Sequence, residues 1–203
     1  MPAPTTVVFD LGKVLLDFDY TIAARRFAPL TPFSAEEIKT SLLGVDLLFR
    51  YERGELQTPQ FFAEIQKTFQ YRGTFDRFAR DFGDIFTEIP EMIRLHARVR
   101  ARRLPTYILS NTNEMAVLHI RRHYPFIAGF DGYVLSYEQR CMKPEPRIYE
   151  ILEEMSGASR DQIVYIDDHS PNVQAALARG WQAVQHQTPL VTIARVEQLL
   201  GLG

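Results

Sequence analysis

The chain has 203 residues, of which 46% are hydrophobic and 24% charged, and its formal net charge is −2. These proportions are typical of a globular protein large enough to bury a core, and the charge gives no reason to expect binding to nucleic acid or an anionic membrane. With a single cysteine, no signal-peptide pattern and no apolar run long enough to cross a bilayer, the sequence favours a cytoplasmic protein.

The first predicted element is a buried strand that ends in a carboxylate. Residues 7–9 are apolar and β-prone, and Asp10 follows them directly. In open α/β sheets ligands bind beyond the carboxyl ends of the strands, so Asp10 lies where chemistry usually occurs. Taken alone, however, an aspartate in this position is more often a turn-former. Gly12 is expected to let the backbone turn before residues 14–16 return to the interior.

Residues 20–88 carry helical patterns interrupted by turn signals, and they show no strand signal. A capping box begins at Ser34, a Thr-Pro pair opens a second helix, and Thr74 caps a third, which is expected to reach Phe86. Aromatic residues at helical spacing predict core packing rather than a ligand cavity. The polar stretch 49–55 predicts a solvated loop. The block therefore indicates a compact helical insertion.

After Pro90 the pattern changes to strands that alternate with helices. This alternation implies right-handed crossovers and a parallel sheet, hence an α/β fold. The predicted strands cover residues 106–109, 133–135, 163–166 and 181–184. The predicted helices include residues 91–103, 146–155, 171–178 and 189–200.

Polar residues follow three of the predicted strands, and a parallel sheet would bring these ends to one edge. A lysine on a loop before a helix completes the group. Each residue has an ordinary explanation, since Asp and Ser often cap turns and a lone lysine is usually at the surface. Convergence of all of them is harder to explain in that way. The residues concerned are Asp10, Ser110, Asn111, Lys143, Asp167 and Asp168.

This set of residues suits phosphoryl transfer through a covalent intermediate. A carboxylate such as Asp10 can attack phosphorus, but two anions approach each other only with a cation between them. Mg²⁺ is suited because it binds carboxylates, a carbonyl and waters and leaves room for a phosphate oxygen. Asp10 and Asp168 can supply carboxylates and Gly12 its carbonyl. Asp167 can contact the metal directly or through a ligand.

The other members of the set can bind the phosphate itself. The Ser110 hydroxyl and nearby backbone N–H groups lie at a strand-to-helix turn, a usual place for phosphate oxygens. Lys143 supplies a positive charge that stabilises the negative charge developing on the transferred group.

At this point the chain resembles the haloacid dehalogenase superfamily of hydrolases, because all four family motifs occur in the family order. The resemblance implies a Rossmann-like, three-layer parallel-sheet core formed by residues 1–16 and 90–203. It also implies a helical cap formed by residues 17–89. The motifs are Phe9-Asp10-Leu11-Gly12, Leu109-Ser110-Asn111-Thr112, Lys143-Pro144 and Ile166-Asp167-Asp168.

The resemblance also implies a role for each motif residue. Asp10 is the expected nucleophile of a Mg²⁺-dependent phosphatase. The expected phosphate-binding residues are Ser110, Asn111 and Lys143. The expected metal ligands are Asp10, Gly12, Asp167 and Asp168. Asp168 is ranked above Asp167 because it matches the usual metal ligand of the family.

One position departs from the family pattern. Phosphatases of the family usually carry a second Asp two residues after the nucleophile, where it protonates the leaving group, and here that residue is Gly12. The enzyme is then either weakened or directed at an ester with a good leaving group, such as a phosphate on an anomeric carbon. Asp-x-Gly-x-Val, with Glu-Arg-Gly-Glu in the cap, resembles bacterial α-D-glucose-1-phosphate phosphatases. Glu52 and Arg53 lie where family caps select substrates.

Three functions remain open from the sequence. We favour a Mg²⁺-dependent phosphatase for a small sugar phosphate such as α-D-glucose 1-phosphate, acting as a monomer or weak homodimer. The second is a 2-haloacid dehalogenase, which lacks the same Asp but needs no metal, so the Asp167-Asp168 pair argues against it. The third is a degenerate member that binds a phosphorylated metabolite or a protein partner without turnover.

Overall fold

The computed structural model describes residues 4–44 and 46–202, and its centre is a five-stranded parallel sheet. The strands in chain order are β1 (Thr6–Phe9), β2 (Leu16–Phe18), β3 (Phe86–Glu88), β4 (Thr106–Ser110), β5 (Gly132–Leu135), β6 (Ile163–Asp167) and β7 (Gln182–Gln185). The parallel sheet has the order β5-β4-β1-β6-β7, so β1 is its middle strand. The predicted parallel α/β fold is therefore confirmed.

The helices fall into two groups, before and after β3. The first group is α1 (Tyr20–Phe27), α2 (Ala35–Gly44), α3 (Asp46–Glu52), α4 (Thr58–Phe69) and α5 (Phe75–Gly83). The second group is α6 (Pro90–Ala101), α7 (Glu114–His123), α8 (Ser136–Gln139), α9 (Pro146–Ser156), α10 (Ser170–Ala178) and α11 (Pro189–Leu200). Within the described ranges, no helix combines the length and apolarity needed to cross a bilayer.

Side-chain alternation along β1 divides the core into two layers, because successive residues of a strand point to opposite faces. Val7 and Phe9 belong to an apolar cluster that includes residues of α6, α7 and α11. Val8 belongs to a second cluster with residues of α9 and α10. Burial on both faces explains why this strand is continuously apolar. The sheet thus forms the middle of the three predicted layers.

Helices α1 to α5 pack around an apolar cluster of their own. Aromatic rings stack inside it, with centroid distances of 5.0 Å between Phe27 and Phe78 and 4.3 Å between Tyr51 and Phe61. The predicted assignment of the aromatic stripe to the core is confirmed for its buried rings, whereas Phe75 is exposed. The division into a core and a cap at residues 16/17 and 89/90 stays a prediction, and we use the word cap for residues 17–89.

Three predictions for this block were wrong. β2 and β3 form an antiparallel pair at its base, and strands of three residues are too short to show a period. The stretch 49–55 is not all loop, because α3 continues through Glu52 and buries Leu48 and Tyr51 on one face. Helix α5 ends at Gly83, so Phe86 lies in β3 rather than in a helix. In the second half of the chain, the bounds differ from the predictions by at most two residues.

Candidate active site

The ends of β1, β4 and β6 bring Asp10, Ser110 and Asp167 to one edge of the sheet. β1 lies between the other two strands, and Phe9 pairs in register with Ile166. The N–H of Asp10 donates a hydrogen bond to the carbonyl oxygen of Ile166 at 2.8 Å, which fixes the start of the loop after β1. The predicted convergence of these residues is therefore present in the structure.

Lys143 is buried at the centre of this edge, with only 5% of its surface exposed. Its Nζ lies 2.9 Å from Oδ2 of Asp10 and 2.6 Å from Oδ2 of Asp167. It also donates a hydrogen bond to the carbonyl oxygen of Leu109 at 2.9 Å. An ammonium has three N–H donors, and these three partners satisfy all of them. The alternative that Lys143 is a surface lysine is wrong.

Burial and the nearest opposite charge shift the pKa values of Asp10, Lys143 and Asp167 in opposite directions. Burial raises the pKa of Asp10 well above its usual value, and Lys143 offsets only part of that rise. Burial alone would lower the pKa of Lys143, but the charges of Asp10 and Asp167 outweigh it and raise the pKa. For Asp167, burial acts to raise the pKa, and Lys143 reverses the direction and lowers it. Lys143 and Asp167 therefore form a fully charged pair.

Asp167 is held by hydrogen bonds on both carboxylate oxygens. Its Oδ1 accepts from the N–H of His169 at 2.8 Å, and Asn172 Nδ2 lies 3.1 Å from each oxygen. The hydroxyl of Tyr165 donates to Oδ2, which Lys143 also contacts. Direct coordination of a metal by Asp167 would compete with these partners. Its geometry suits a residue that orients Lys143.

Asp10, Asp167 and Asp168 offer carboxylate oxygens that all lie within 4.8 Å of one another. In residues 4–44 and 46–202, no other group of at least three His, Cys, Asp or Glu residues converges in this way. Burial and the charge of Asp167 raise the pKa of Asp168. Three carboxylates thus face one ammonium, an excess of negative charge that a divalent cation with oxygen ligands would offset. The carbonyl of Gly12 as a further ligand stays a prediction.

The predicted phosphate-binding residues Ser110 and Asn111 behave differently. Ser110 is buried, and its hydroxyl makes only a long contact of 3.4 Å with the carbonyl oxygen of Asn111. The Asn111 side chain accepts from the N–H of Lys143 at 2.8 Å and donates to the carbonyl of Lys143 at 3.0 Å. Asn111 therefore holds the backbone of Lys143 in place. Its direct contact with phosphate stays a prediction.

Gly12 permits close packing rather than a turn. The left-handed residue of this loop is Lys13, with φ of 59°, whereas a Cβ on Gly12 would lie 2.8 Å from Cε1 of Phe18. The Phe18 ring packs edge-to-face on Tyr20 and Phe86, at centroid distances of 5.6 and 6.1 Å. An aromatic ring thus fills the space that a side chain at position 12 would need.

The end of α3 contacts the first residues of α7 and α8. The hydroxyl of Tyr51 accepts a hydrogen bond from the N–H of Met115 at 3.2 Å. The carbonyl oxygen of Glu52 accepts from the hydroxyl of Ser136 at 2.6 Å, and the same hydroxyl oxygen accepts from the N–H of Thr112 at 2.9 Å. Ser136 was not predicted as a functional residue, and no motif in the sequence marks it.

Arg53 joins the cap to the loop of Lys143. Its guanidinium forms a two-pronged ion pair with Glu145, with Nη2 3.0 Å from Oε2. Gly54 follows with φ of 72°, and a Cβ there would overlap the carbonyl oxygen of Tyr137. The sequence contains a signal for this contact, because Glu145 lies two residues after Lys143. A residue that binds the Glu145 side chain must therefore lie near the site.

Three comparisons relate these features to known proteins. A sequence model of haloacid dehalogenase-like hydrolases matches residues 4–180. The chain is 23% identical over 186 residues to D-ribitol-5-phosphate phosphatase of Bacteroides thetaiotaomicron, covering 88% of this chain and 90% of that protein. It is also 23% identical over 207 aligned positions to acyl-CoA dehydrogenase family member 10 of Mus musculus. That match covers 96% of this chain but only 19% of the length of the mouse protein.

Among solved structures, the fold is similar to that of a haloacid dehalogenase family enzyme from Bacteroides thetaiotaomicron, in complex with magnesium and inorganic phosphate. The TM-score is 0.80 at 21% identity, over 91% of this chain and 95% of that one. At this identity the likeness concerns the fold alone. The sequence match is the finding that identifies the family, and it spans all four motifs. The chain belongs to the haloacid dehalogenase-like hydrolase family.

Proposed function

We propose that the protein is a Mg²⁺-dependent phosphatase that hydrolyses a small phosphorylated metabolite through an aspartyl-phosphate on Asp10. The observation that carries the proposal is the position of Asp10 at the sheet edge, 2.9 Å from a buried ammonium and close to two further carboxylates. The similarity of the sequence to a D-ribitol-5-phosphate phosphatase supports it, as does the similarity of the fold to a protein solved in complex with magnesium and phosphate.

The donor set fits Mg²⁺, because this ion prefers oxygen ligands and several carboxylates converge here. Asp10, Asp168 and the carbonyl of Gly12 would hold it. Asp167 ranks below Asp168 because both of its oxygens already accept hydrogen bonds. When bound, Mg²⁺ supplies positive charge that offsets the repulsion between phosphate and carboxylate.

Asp10, Lys143 and Asn111 have different roles in the proposed reaction. An oxygen of Asp10 attacks phosphorus, so an Asp–O–P bond forms as the bond from phosphorus to the ester oxygen breaks. Water then attacks the aspartyl-phosphate, releases phosphate and restores the carboxylate. Lys143 places its charge beside the Asp10 carboxylate, and Asn111 fixes the loop that carries it.

We extend the proposal to an ester with a comparatively good leaving group, such as α-D-glucose 1-phosphate. The contact between Gly12 and Phe18 supports this choice, since no acid can occupy position 12 without displacing the ring. A departing hemiacetal oxygen needs less protonation than a simple alkoxide. Similarity to a phosphatase that acts on a phosphorylated sugar alcohol supports a carbohydrate substrate class.

The test is a screen for phosphate release from sugar, nucleotide and acyl phosphates, with Mg²⁺ and with EDTA. We expect Mg²⁺-dependent release, and a loss of at least about a thousandfold in kcat for Asp10→Asn. The control is Asp17→Asn, which changes an exposed carboxylate outside the cluster and should leave kcat nearly unchanged. Full activity of Asp10→Asn would contradict the mechanism.

The two other candidate functions give different results in the same screen. Chloride release from chloroacetate that persists in EDTA would identify a 2-haloacid dehalogenase. Tight binding of phosphate esters without turnover across the panel would identify a degenerate member. The convergence of Asp10, Asp167 and Asp168 favours the metal-dependent reaction over both.

A further inference from the structure

A phosphatase with Gly12 in place of an acid still has to supply a proton to the departing oxygen of an ordinary ester. We propose that Glu52, at the end of α3 in the cap, donates this proton. The inference rests on the proposed phosphatase function and adds a catalytic residue to it. Three observations carry it: how the backbone of Glu52 is held, which side chains lie near its carboxyl group, and which other donors are available.

The backbone of Glu52 is bound by Ser136, at the start of α8, which in turn binds the loop that follows β4. Its carbonyl oxygen accepts from the hydroxyl of Ser136 at 2.6 Å, and Ser136 Oγ also accepts from the N–H of Thr112 at 2.9 Å. Ser136 is fully buried, so this link is shielded from water. Only one side chain therefore separates Glu52 from the loop that contains Ser110.

Contacts on the other side relate Glu52 to position 12. The pKa of the Tyr20 hydroxyl is raised by two causes. Burial is the larger cause, and the charge of Glu52 is the second. The Tyr20 ring packs on the ring of Phe18 at 5.6 Å, and the Phe18 ring lies against Gly12. Glu52 is thus linked to the phosphate-binding loop through Ser136 and Thr112. Its neighbour Tyr20 is linked through Phe18 to Gly12 in the loop of the nucleophile. In the proposed arrangement the carboxyl group lies between these two loops.

The chemistry of Glu52 suits a proton donor. Burial raises its pKa to about 7, so a large share of the molecules carry a neutral carboxyl group at neutral pH. A general acid is most effective when its pKa lies near the working pH. The residue as a whole is only partly exposed, at the end of α3.

Neighbouring groups are poorer donors. Burial and the charge of Glu52 raise the pKa of Tyr20 well above 10, so its phenol holds the proton tightly. The ammonium of Lys13 is exposed, forms an ion pair with Asp17, and donates to the carbonyl of Phe18 at 2.9 Å.

In the proposed step, the Glu52 carboxyl proton passes to the ester oxygen while its bond to phosphorus breaks and the Asp10–phosphorus bond forms. The alcohol leaves neutral, and Glu52 becomes a carboxylate. In the second half of the reaction this carboxylate accepts a proton from the attacking water. Phosphate is released, and both carboxyl groups return to their initial states.

The experiment compares Glu52→Gln with the wild type on phosphate esters whose leaving groups range from p-nitrophenol to simple alcohols. We expect kcat to fall by roughly a hundredfold or more for alkyl phosphates, and by less than about threefold for p-nitrophenyl phosphate. Glu55→Gln changes an exposed carboxylate in the same turn and should lower none of these rates appreciably.

The outcomes separate the inference from the function on which it rests. An equal loss of kcat across the series would show that Glu52 binds substrate or supports the fold, and would overturn the inference. Retained turnover of p-nitrophenyl phosphate by Glu52→Gln proves that the variant folds. If the wild type releases phosphate from no ester, including p-nitrophenyl phosphate, the phosphatase function itself fails.

Discussion

The core site and the cap of this protein are stabilised by different interactions. In the core, Lys143 and Asp167 form an almost fully buried ion pair with every ammonium donor satisfied. In the cap, Phe78 lies at the centre of stacked rings and is completely buried. A buried charge network fails sharply when one partner is removed, whereas apolar packing weakens with the volume that is lost.

The charged groups around Asp10 lie at the edge of the sheet, and the stacked rings of the cap contribute none of them. The proposed proton donor, Glu52, belongs to the cap but lies at its contact with the core. The contacts between the two regions include those of Phe18 with Gly12, of Glu52 with Ser136, and of Arg53 with Glu145. Changes within one region should therefore leave the other largely intact, and changes at the contacts should affect both.

The largest effect is expected in the core, from Asp167→Ala. This change leaves the Lys143 ammonium buried with one carboxylate fewer, which should lower the free energy of unfolding by about 3–5 kcal/mol. It should also abolish phosphate release, because Lys143 loses the group that orients it. Urea unfolding monitored by circular dichroism measures the first effect.

A matched control for this variant is Asp167→Asn, which keeps the shape and some hydrogen bonds and should lose less stability. Arg147→Ala removes an exposed ion pair and should leave the unfolding midpoint unchanged. A loss below about 1 kcal/mol for Asp167→Ala would mean that the buried charge is not the main contribution to core stability.

A large effect of a different kind is expected in the cap, from Phe78→Ala. Removing this fully buried ring should cost about 3–5 kcal/mol of unfolding free energy through lost burial and a cavity. Below the unfolding temperature, kcat on p-nitrophenyl phosphate should fall far less than in Asp167→Ala. Phe75→Ala, at a half-exposed ring, is the control. An equal loss of kcat in both core and cap variants would remove the distinction between the regions.

Much of the site could be predicted because it follows the strands. An apolar run directly precedes Asp10, Ser110 and Asp167. Parallel pairing of the strands brings these ends to one edge of the sheet, and this does not depend on the conformation of the loops. The depth of Lys143 could not be predicted in this way. Its burial depends on the Asn111 side chain, which binds the lysine backbone across 32 positions of sequence.

The cap was predicted less well because its short elements carry little periodic signal. β2 has three residues and pairs with β3 some 70 positions later, so neither strand shows alternation. That pairing places Phe18 beside Phe86 and against Gly12. Absence of an acid at position 12 is visible in the sequence, but its replacement by an aromatic ring depends on this distant contact.

An intermediate effect is expected at that contact, from Gly12→Asp. The new side chain would meet the Phe18 ring, and overpacking of this kind should cost about 1–3 kcal/mol. Activity on alkyl phosphates should not improve. The double variant Gly12→Asp/Phe18→Ala makes room, so part of the stability should return and alkyl phosphates should be hydrolysed faster. Equal stability of Gly12→Asp and the wild type would show that the ring moves aside freely.

The smallest effect is expected at the rim of the cap, from Arg53→Ala. The Arg53 and Glu145 side chains are 29% and 37% exposed, so water and salt screen the pair and its contribution to unfolding free energy should be about 1 kcal/mol or less. Arg53→Lys should not restore it fully, because an ammonium cannot reproduce the two-pronged contact.

A double-mutant cycle with Glu145→Gln isolates this pair from the other contacts of each residue. The expected coupling is small but measurable, and it should decrease at high salt as an exposed ion pair requires. KM should rise more than kcat falls, since the pair lies between cap and core and outside the group of Asp10 and Lys143. If the coupling free energy were as large as the loss of unfolding free energy in Asp167→Ala, ion pairs would stabilise the contact between cap and core as strongly as they stabilise the core site. The difference between the two regions would then be contradicted.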